Sequence, residues 1–267
     1  MIYYYLAKEG GEELIVDILD AEGDLVRNFS SDSTKIASRS DSEESFRRRP
    51  LPKPLSQKAG MHRFIWDMRY PDTAPLESLR AERGPLAVPG PYQVRLTIGD
   101  WSQTQNFELL IDPRVAADGV TVADLREQFD LNTRISDRIS ELRQAVLRIR
   151  EVRSHLDSAA THSESSADIV AQAKSIRVKL TETEQALVQT EKGKVGAQLK
   201  PMLNRQLTYL YGMTTVADQK PGYDAGKRLE DIEKILALHL ADLQDLLTEE
   251  LPKLNIKLQA RGLTTVK

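Results

Sequence analysis

The chain has 267 residues, a formal net charge of −3 and no cysteine. That length allows two separately built cores, and the missing cysteines exclude disulfides, thiolate metal sites and cysteine nucleophiles. Residues 1–120 carry net −4 and residues 121–267 net +1, so neither half has the positive excess of a nucleic-acid binder. No apolar run approaches the ~18 residues of a membrane span, and the apolar start at 2–6 is too short for a signal peptide.

Ile2, Tyr4 and Leu6 alternate with Tyr3 and Tyr5, which predicts a first strand. Residues 13–29 predict a hairpin: Leu14, Val16 and Ile18 alternate, Gly23 supplies the positive φ of the turn, and 25–29 return. Residues 30–58 are rich in Ser, Asp and Glu and then in Pro, so they are expected to form a long exposed loop. Its Arg47, Arg48 and Arg49 read as a solvated stretch neutralised by Glu43 and Glu44. The stretch 59–70 alternates His62, Phe64, Trp66 and Met68 against Arg63, Asp67 and Arg69. It is expected to be the central strand, with Trp66 filling the space between sheets. Asp67 is expected to face out and tie a neighbouring loop, or to pair with Arg69 or Arg95. The Pro- and Gly-rich run 84–91 predicts a rigid loop. Tyr92, Val94, Leu96 and Ile98 then form a strand, Gly99-Asp100 a turn, and Phe107, Leu109 and Ile111 the closing strand before Pro113. Seven or so short strands of this kind predict an immunoglobulin-like β-sandwich over 1–115.

The order of these residues carries a resemblance. Ile2, Tyr4 and Leu6, then Val16, Ile18, Asp20, Gly23, Val26 and Arg27, then Gly60, His62, Phe64, Trp66, Asp67 and Arg69, then Gly90, Tyr92, Val94 and Leu96 resemble the immunoglobulin-like domain of flagellar hook-capping proteins. With the 84–90 loop and a helical tail holding Leu251, Pro252, Leu254 and Asn255, the chain is similar to the carboxy-terminal region of bacterial sortilin-like β-propeller proteins that carry glycosyl-hydrolase labels. The resemblance implies a segment that follows a propeller in a longer protein of the periplasm, outer surface or extracellular space. The 30–58 insertion departs from the compact hook-capping pattern.

Residues 116–267 read as helical. Thr121 suits an N-cap, with Asp124 three residues on. Ile135, Ile139, Leu142, Val146, Ile149 and Leu156 make a heptad seam to about residue 155. The charges beside it, Arg143, Arg150 and Arg153 among them, read as a solvated face. A second helix of about 25 residues carries Ile169, Ala173, Ile176, Leu180, Thr183 and Leu187 and is expected to end near Gly193. Pro201 opens a third helix with Leu203, Leu207, Leu210 and Tyr211. A fourth begins near Asp224 with Leu229, Ile232, Leu236, Leu240, Leu243 and Leu247, and Pro252 ends or kinks it. The expected architecture is α+β: a sandwich followed by an antiparallel four-helix bundle.

Chemistry-bearing patterns are sparse. His62, His155, His162 and His239 lack metal-ligand spacing, and there is neither a phosphate loop nor a nucleophile elbow. The carboxylates at 182, 184, 230, 231 and 233 read as solvated faces. Asp17, Asp20, Glu22 and Asp24 gather at a turn, though not with the spacing of a calcium loop. The reading is therefore a non-catalytic accessory module with no cofactor or metal, bracing an adjacent propeller or a protein partner. Homodimerisation through a spare bundle seam is a further expectation. Gly23, Gly60, Trp66, Asp67, Gly90 and Tyr92 are its structural residues. Tyr3, Tyr5, Tyr70 and Trp101 are the candidate binding aromatics. The alternative is a carbohydrate-binding or carbohydrate-active module.

Overall fold

The computed structural model describes residues 1–34, 53–76, 79–161, 166–190 and 202–266. It mixes helix and antiparallel sheet, and the chain divides into two units. The first comprises Met1–Asp72, Glu77–Thr133 and Asp218–Lys220; the second comprises Thr73–Leu76, Arg134–Ala217 and Pro221–Lys267. The division expected at 115/116 thus lies instead within the first long helix.

The first unit holds six strands rather than seven among the described residues. They are β1 (Ile2–Leu6), β2 (Leu14–Leu19), β3 (Leu25–Ser30), β4 (Gly60–Phe64), β5 (Gly90–Ile98) and β6 (Trp101–Leu109). One sheet has the order β3-β2-β5-β6 and the other is the pair β1-β4, all antiparallel. Tyr4, Leu6, Leu14, Val16, Ile18, Trp66 and Tyr92 contribute to one apolar cluster. The hairpin forms as expected, with Gly23 at φ 90° and Asp24 N–H donating to the Asp20 carboxylate at 2.7 Å.

The stretch 59–70 departs from expectation. Its strand ends at Phe64 and pairs only with β1, so β2 and β5 occupy the middle of the larger sheet. Trp66 is buried beyond the strand, where its indole N–H donates to the Arg69 carbonyl at 3.1 Å. The backbone then takes φ +56° at Met68, a region costly for a residue with a Cβ, and Met68 turns outward. This turn breaks the pleat that the alternation implied. The Met68 carbonyl accepts from Ala87 N–H at 2.7 Å, and Tyr70 N–H donates to the Pro85 carbonyl at 3.0 Å. The run 84–91 is therefore held by short ladder-like pairing, with Arg69 bridged to Leu86. In the expected loop, 35–52 lie outside the described residues, the three arginines with them; at the proline-rich end Lys53 and Pro54 are exposed. Leu55 is buried, and its N–H donates to the Ser30 carbonyl.

A short helix, α1 (Pro113–Ala117), is capped by the Asp112 carboxylate. The helix α2 (Val122–Thr161) opens with a reciprocal capping box: Asp124 N–H donates to Thr121 Oγ1 at 3.1 Å, and Thr121 N–H to the Asp124 carboxylate at 3.0 Å.

In the second unit come α3 (Ala167–Leu187), α4 (Leu203–Thr214), α5 (Tyr223–Asp245), a π-turn at Leu246–Glu250 and α6 (Leu251–Gln259). The seam of α2 from Ile135 to Leu156 is buried, as are Ile169, Ala173, Ile176, Leu180, Thr183 and Leu187 of α3. The two helices are not of similar length, at 40 and 21 residues. They run in opposite directions: Arg150 and Arg153 reach Glu184, while Asp157 reaches Arg177. Helix α3 stops at Leu187 with Val188 extended, and the expected Gly193 and Pro201 lie outside the described residues. Pro252 does not end the last helix. It has no N–H for the carbonyl of Thr248 and its ring crowds that group; the wider π-turn absorbs the mismatch, and the helix continues. Leu246, rather than Leu247, is buried, and across the π-turn the next buried residue is Leu251, five positions on.

Candidate functional site

The outward face of the β1-β4 pair exposes large apolar side chains. Residue alternation sends Tyr4 and Leu6 into the core and Tyr3 and Tyr5 out. Register places Tyr5 opposite Met61 and Tyr3 opposite Arg63. Tyr3, Tyr5 and Met61 are 61%, 65% and 68% exposed, which is high for side chains of this size. The Tyr3 hydroxyl donates to Met1 Sδ at 3.0 Å. On the inner face, Tyr4 packs on His62 at 5.1 Å and Phe64 on Phe29 at 4.4 Å. His62 therefore packs on Tyr4, not beside Trp66, whose ring neighbours are Tyr92 at 5.8 Å and Phe107 at 6.3 Å.

The four candidate aromatics do not form one platform. Tyr3 and Tyr5 share the outer face of β1, and Trp101, half-exposed, starts β6 in the other sheet. Tyr70 is turned inward and packs against Phe129, the rings tilted at 4.8 Å. Burial pushes its phenol up to about 12, and burial likewise raises those of Tyr92 and Tyr4. The Tyr92 hydroxyl donates to the Val88 carbonyl at 2.9 Å, fixing the 84–91 run against β5.

Asp67 faces out as expected, but its partner is Arg83 at 3.1 Å; Arg95 is engaged by Asp17, and Arg69 donates to the Gly84 carbonyl. Arg83 immediately precedes the 84–91 run, so Asp67 does tie that loop. Both side chains are over 40% exposed, which makes the pair weak. Gly60 and Gly90 sit at φ 119° and 152°. Gly84 is more tightly required: a Cβ there would lie 2.0 Å from the Tyr70 carbonyl oxygen. The adjoining Pro85 hints at a turn, but no residue pattern announces that close approach.

The Asp17, Asp20, Glu22 and Asp24 cluster does not assemble a cation site. Asp17 is buried, with Arg95 at 2.7 Å and Asn28 at 2.6 Å on its carboxylate. No group of three metal-ligating side chains gathers among the described residues. His162 lies outside the described residues.

Two side chains expected on solvated faces are buried. Arg143, 1% exposed, donates to Asn204 Oδ1 at 3.1 Å, Thr73 Oγ1 at 3.1 Å and the Ala74 carbonyl at 3.0 Å. Glu184, 2% exposed, accepts from Arg150 at 2.7 Å and Arg153 at 2.6 Å. Both are satisfied structural centres.

Each unit also has a concavity. Within the first unit, a pocket of about 190 Å³ lies among Met68, Val88, Leu110, Leu125 and Phe129, with Asp112 and Asp218 also on its lining. Arg114 holds the Asp112 carboxyl down to about 2. In the second unit, a shallow depression of about 490 Å³ is lined by Arg150, Arg153, Ser154, Asp157 and Ser158. No helix among the described residues is long and apolar enough to cross a membrane.

In comparisons with known proteins, no family model, curated protein or solved structure matches this chain.

Proposed function

We propose that this chain is a non-catalytic accessory module that docks and braces a neighbouring β-propeller in a larger exported protein. Its strand unit reads best as a sandwich of immunoglobulin type and its helical unit as an antiparallel bundle. The shared apolar cluster of the two sheets and the opposed directions of α2 and α3 support those finer descriptions. The observation that carries the docking role is the outer face of β1-β4, where Tyr3, Tyr5 and Met61 stand exposed side by side. Tyrosine and methionine are favoured at interface centres, because they bury large area with few rotors or with adaptable ones. The resemblance of the strand and tail residues to propeller-following segments supports a propeller as the partner.

The test is hydrogen–deuterium exchange of this chain alone and joined to a propeller. Residues 2–6 and 60–64 should slow when the propeller is present; unchanged exchange on both strands overturns the reading. The same exposed tyrosines, with Trp101, favour the second reading, a sugar-binding module. A glycan-array signal lost in Tyr5→Ala would establish it in place of the first.

A further inference from the structure

The strand β6 lies at the end of its sheet and, among the described residues, pairs only with β5. Its two-residue turn at 99–100 closes on the pair Ile98 and Trp101. In such a hairpin the closing pair exchanges both backbone hydrogen bonds, and bonded pairs then alternate with unbonded ones. Trp101, Gln103, Gln105, Phe107 and Leu109 therefore turn their N–H and C=O toward β5. Ser102, Thr104, Asn106 and Glu108 turn theirs outward. Pro91 confirms the phase: it faces Glu108, an unbonded position where a missing N–H costs the ladder nothing.

Open edges are usually blunted by Pro, Lys, a bulge or a covering segment. The other edge, β3, has such devices: a register shift near Leu19, Arg27 within the strand, and Leu55 bonded onto Ser30. The nine residues of β6 contain no Pro and no Lys, run in unbroken register and carry one charge, Glu108.

We infer that β6 pairs antiparallel with β6 of a second copy of this chain, about a two-fold axis through Gln105. That centre engages all nine residues. It sets Trp101 against Leu109 of the partner copy, Ser102 against Glu108, Gln103 against Phe107 and Thr104 against Asn106. The half-exposed indole gains an apolar neighbour, the lone carboxylate meets a hydroxyl, and no like charges face each other. The outward-pointing backbone groups of the even residues face one another, as bonded pairs require. Moving the centre one residue either way puts Leu109 opposite Gln103 or the turn at Gly99. The α2 and α3 core seams, by contrast, are buried within one chain. The pairing owes nothing to the propeller-bracing role.

Light scattering on the purified chain should give twice the 30.1 kDa chain mass. Thr104→Pro removes only an outward N–H and should restore the single-chain mass with an unchanged far-ultraviolet spectrum. Ser102→Glu sets like charges opposite each other at two symmetric places and should weaken association by about tenfold at low salt. It carries the test if the proline variant fails to fold. A single-chain mass for the wild type up to submillimolar concentration overturns the inference. So does a doubled mass that a folded edge variant leaves unaltered.

Discussion

The strand unit and the helical unit both bury charge, and they partner it in different ways. In the strand unit, Asp17 is met by Arg95 and Asn28, which lie directly across from it on β5 and β3. Pairing register alone brings the three together. In the helical unit, Arg143 is met by Asn204 and by Thr73 and Ala74, residues 61 to 70 positions away along the chain. Glu184 likewise gathers two arginines from another helix. A sheet can satisfy a buried charge with its nearest neighbours in the ladder. A helix has spent its backbone groups on itself, so its buried charges depend on where other segments cross. The comparison predicts that each unit answers chiefly to damage in its own core.

The largest effect should come from Trp66→Ala. Loss of a buried indole typically costs about 3–5 kcal/mol, and the hydrogen bond to the Arg69 carbonyl goes with it. Both tryptophans of the chain lie in the strand unit, so fluorescence of the remaining Trp101 reports that unit, while ellipticity at 222 nm reports mainly the helices. In urea, the fluorescence transition should move to much lower denaturant and the helical one should move little. Equal shifts in both would show a single cooperative fold and break the comparison.

Arg143→Met is the converse experiment. It keeps much of the side-chain volume but leaves Asn204 Oδ1, Thr73 Oγ1 and the Ala74 carbonyl without the guanidinium. Stranding buried acceptors costs about 1–3 kcal/mol each when none relaxes to water, so a loss of about 3 kcal/mol is expected. It should appear in the helical transition while fluorescence holds. A neutral result would mean that water replaces the guanidinium and that the centre is open to solvent.

These two substitutions also mark what the amino-acid order reveals. Leu14, Val16 and Ile18 alternate and are all buried to 1% or less. The seam Ile135, Ile139, Leu142, Val146 and Ile149 is wholly buried. Period and burial agree wherever one face of one element meets one core. Arg143 adjoins Leu142 in that seam, and a charge there reads as solvated unless the strap Thr73–Leu76 is known to cross it. Glu184 fails the same way. The stretch around Trp66 fails differently: its polarity keeps alternating past Phe64, but alternation carries no information about backbone handedness, and the +56° φ of Met68 ends the pleat. For the candidate site, the outward direction of Tyr3 and Tyr5 follows from strand parity. The inward turn of Tyr70 does not, because Phe129, which receives it, lies in a helix 59 positions on.

A smaller effect sharpens the boundary within α2. Thr121→Ala should cost about 1 kcal/mol, since it removes the hydroxyl half of the capping box. Thr121 groups with the strand unit, so the loss should appear in the fluorescence transition. The hydrogen bonds from Thr121 also hold the Asp124 carboxyl below its usual range. Its contribution is thus present above the ordinary carboxylate range and is lost as pH falls through the lowered value. Exchange of the amides at 121–124 should quicken in the variant at neutral pH. Unchanged exchange would mean that the first turn of the helix is held by packing and not by its cap.

The smallest effect at neutral pH belongs to Tyr70→Phe, and it grows only in alkali. Burial holds the Tyr70 phenol protonated to about pH 12, against 10 for an exposed one. Between those values the folded chain keeps a proton that the unfolded chain has lost, so stability falls as pH rises through the window. With Phe at position 70 there is no proton to lose, and the decline of stability between pH 10 and 12 should be shallower. Spectrophotometric titration at 295 nm should show the highest-pKa phenol missing from the variant. Tyr70 groups with the strand unit, so the alkaline loss should fall on fluorescence before ellipticity. Were ellipticity to fail first, the inward packing of Tyr70 on Phe129 would not be what sets the alkaline limit of the strand unit.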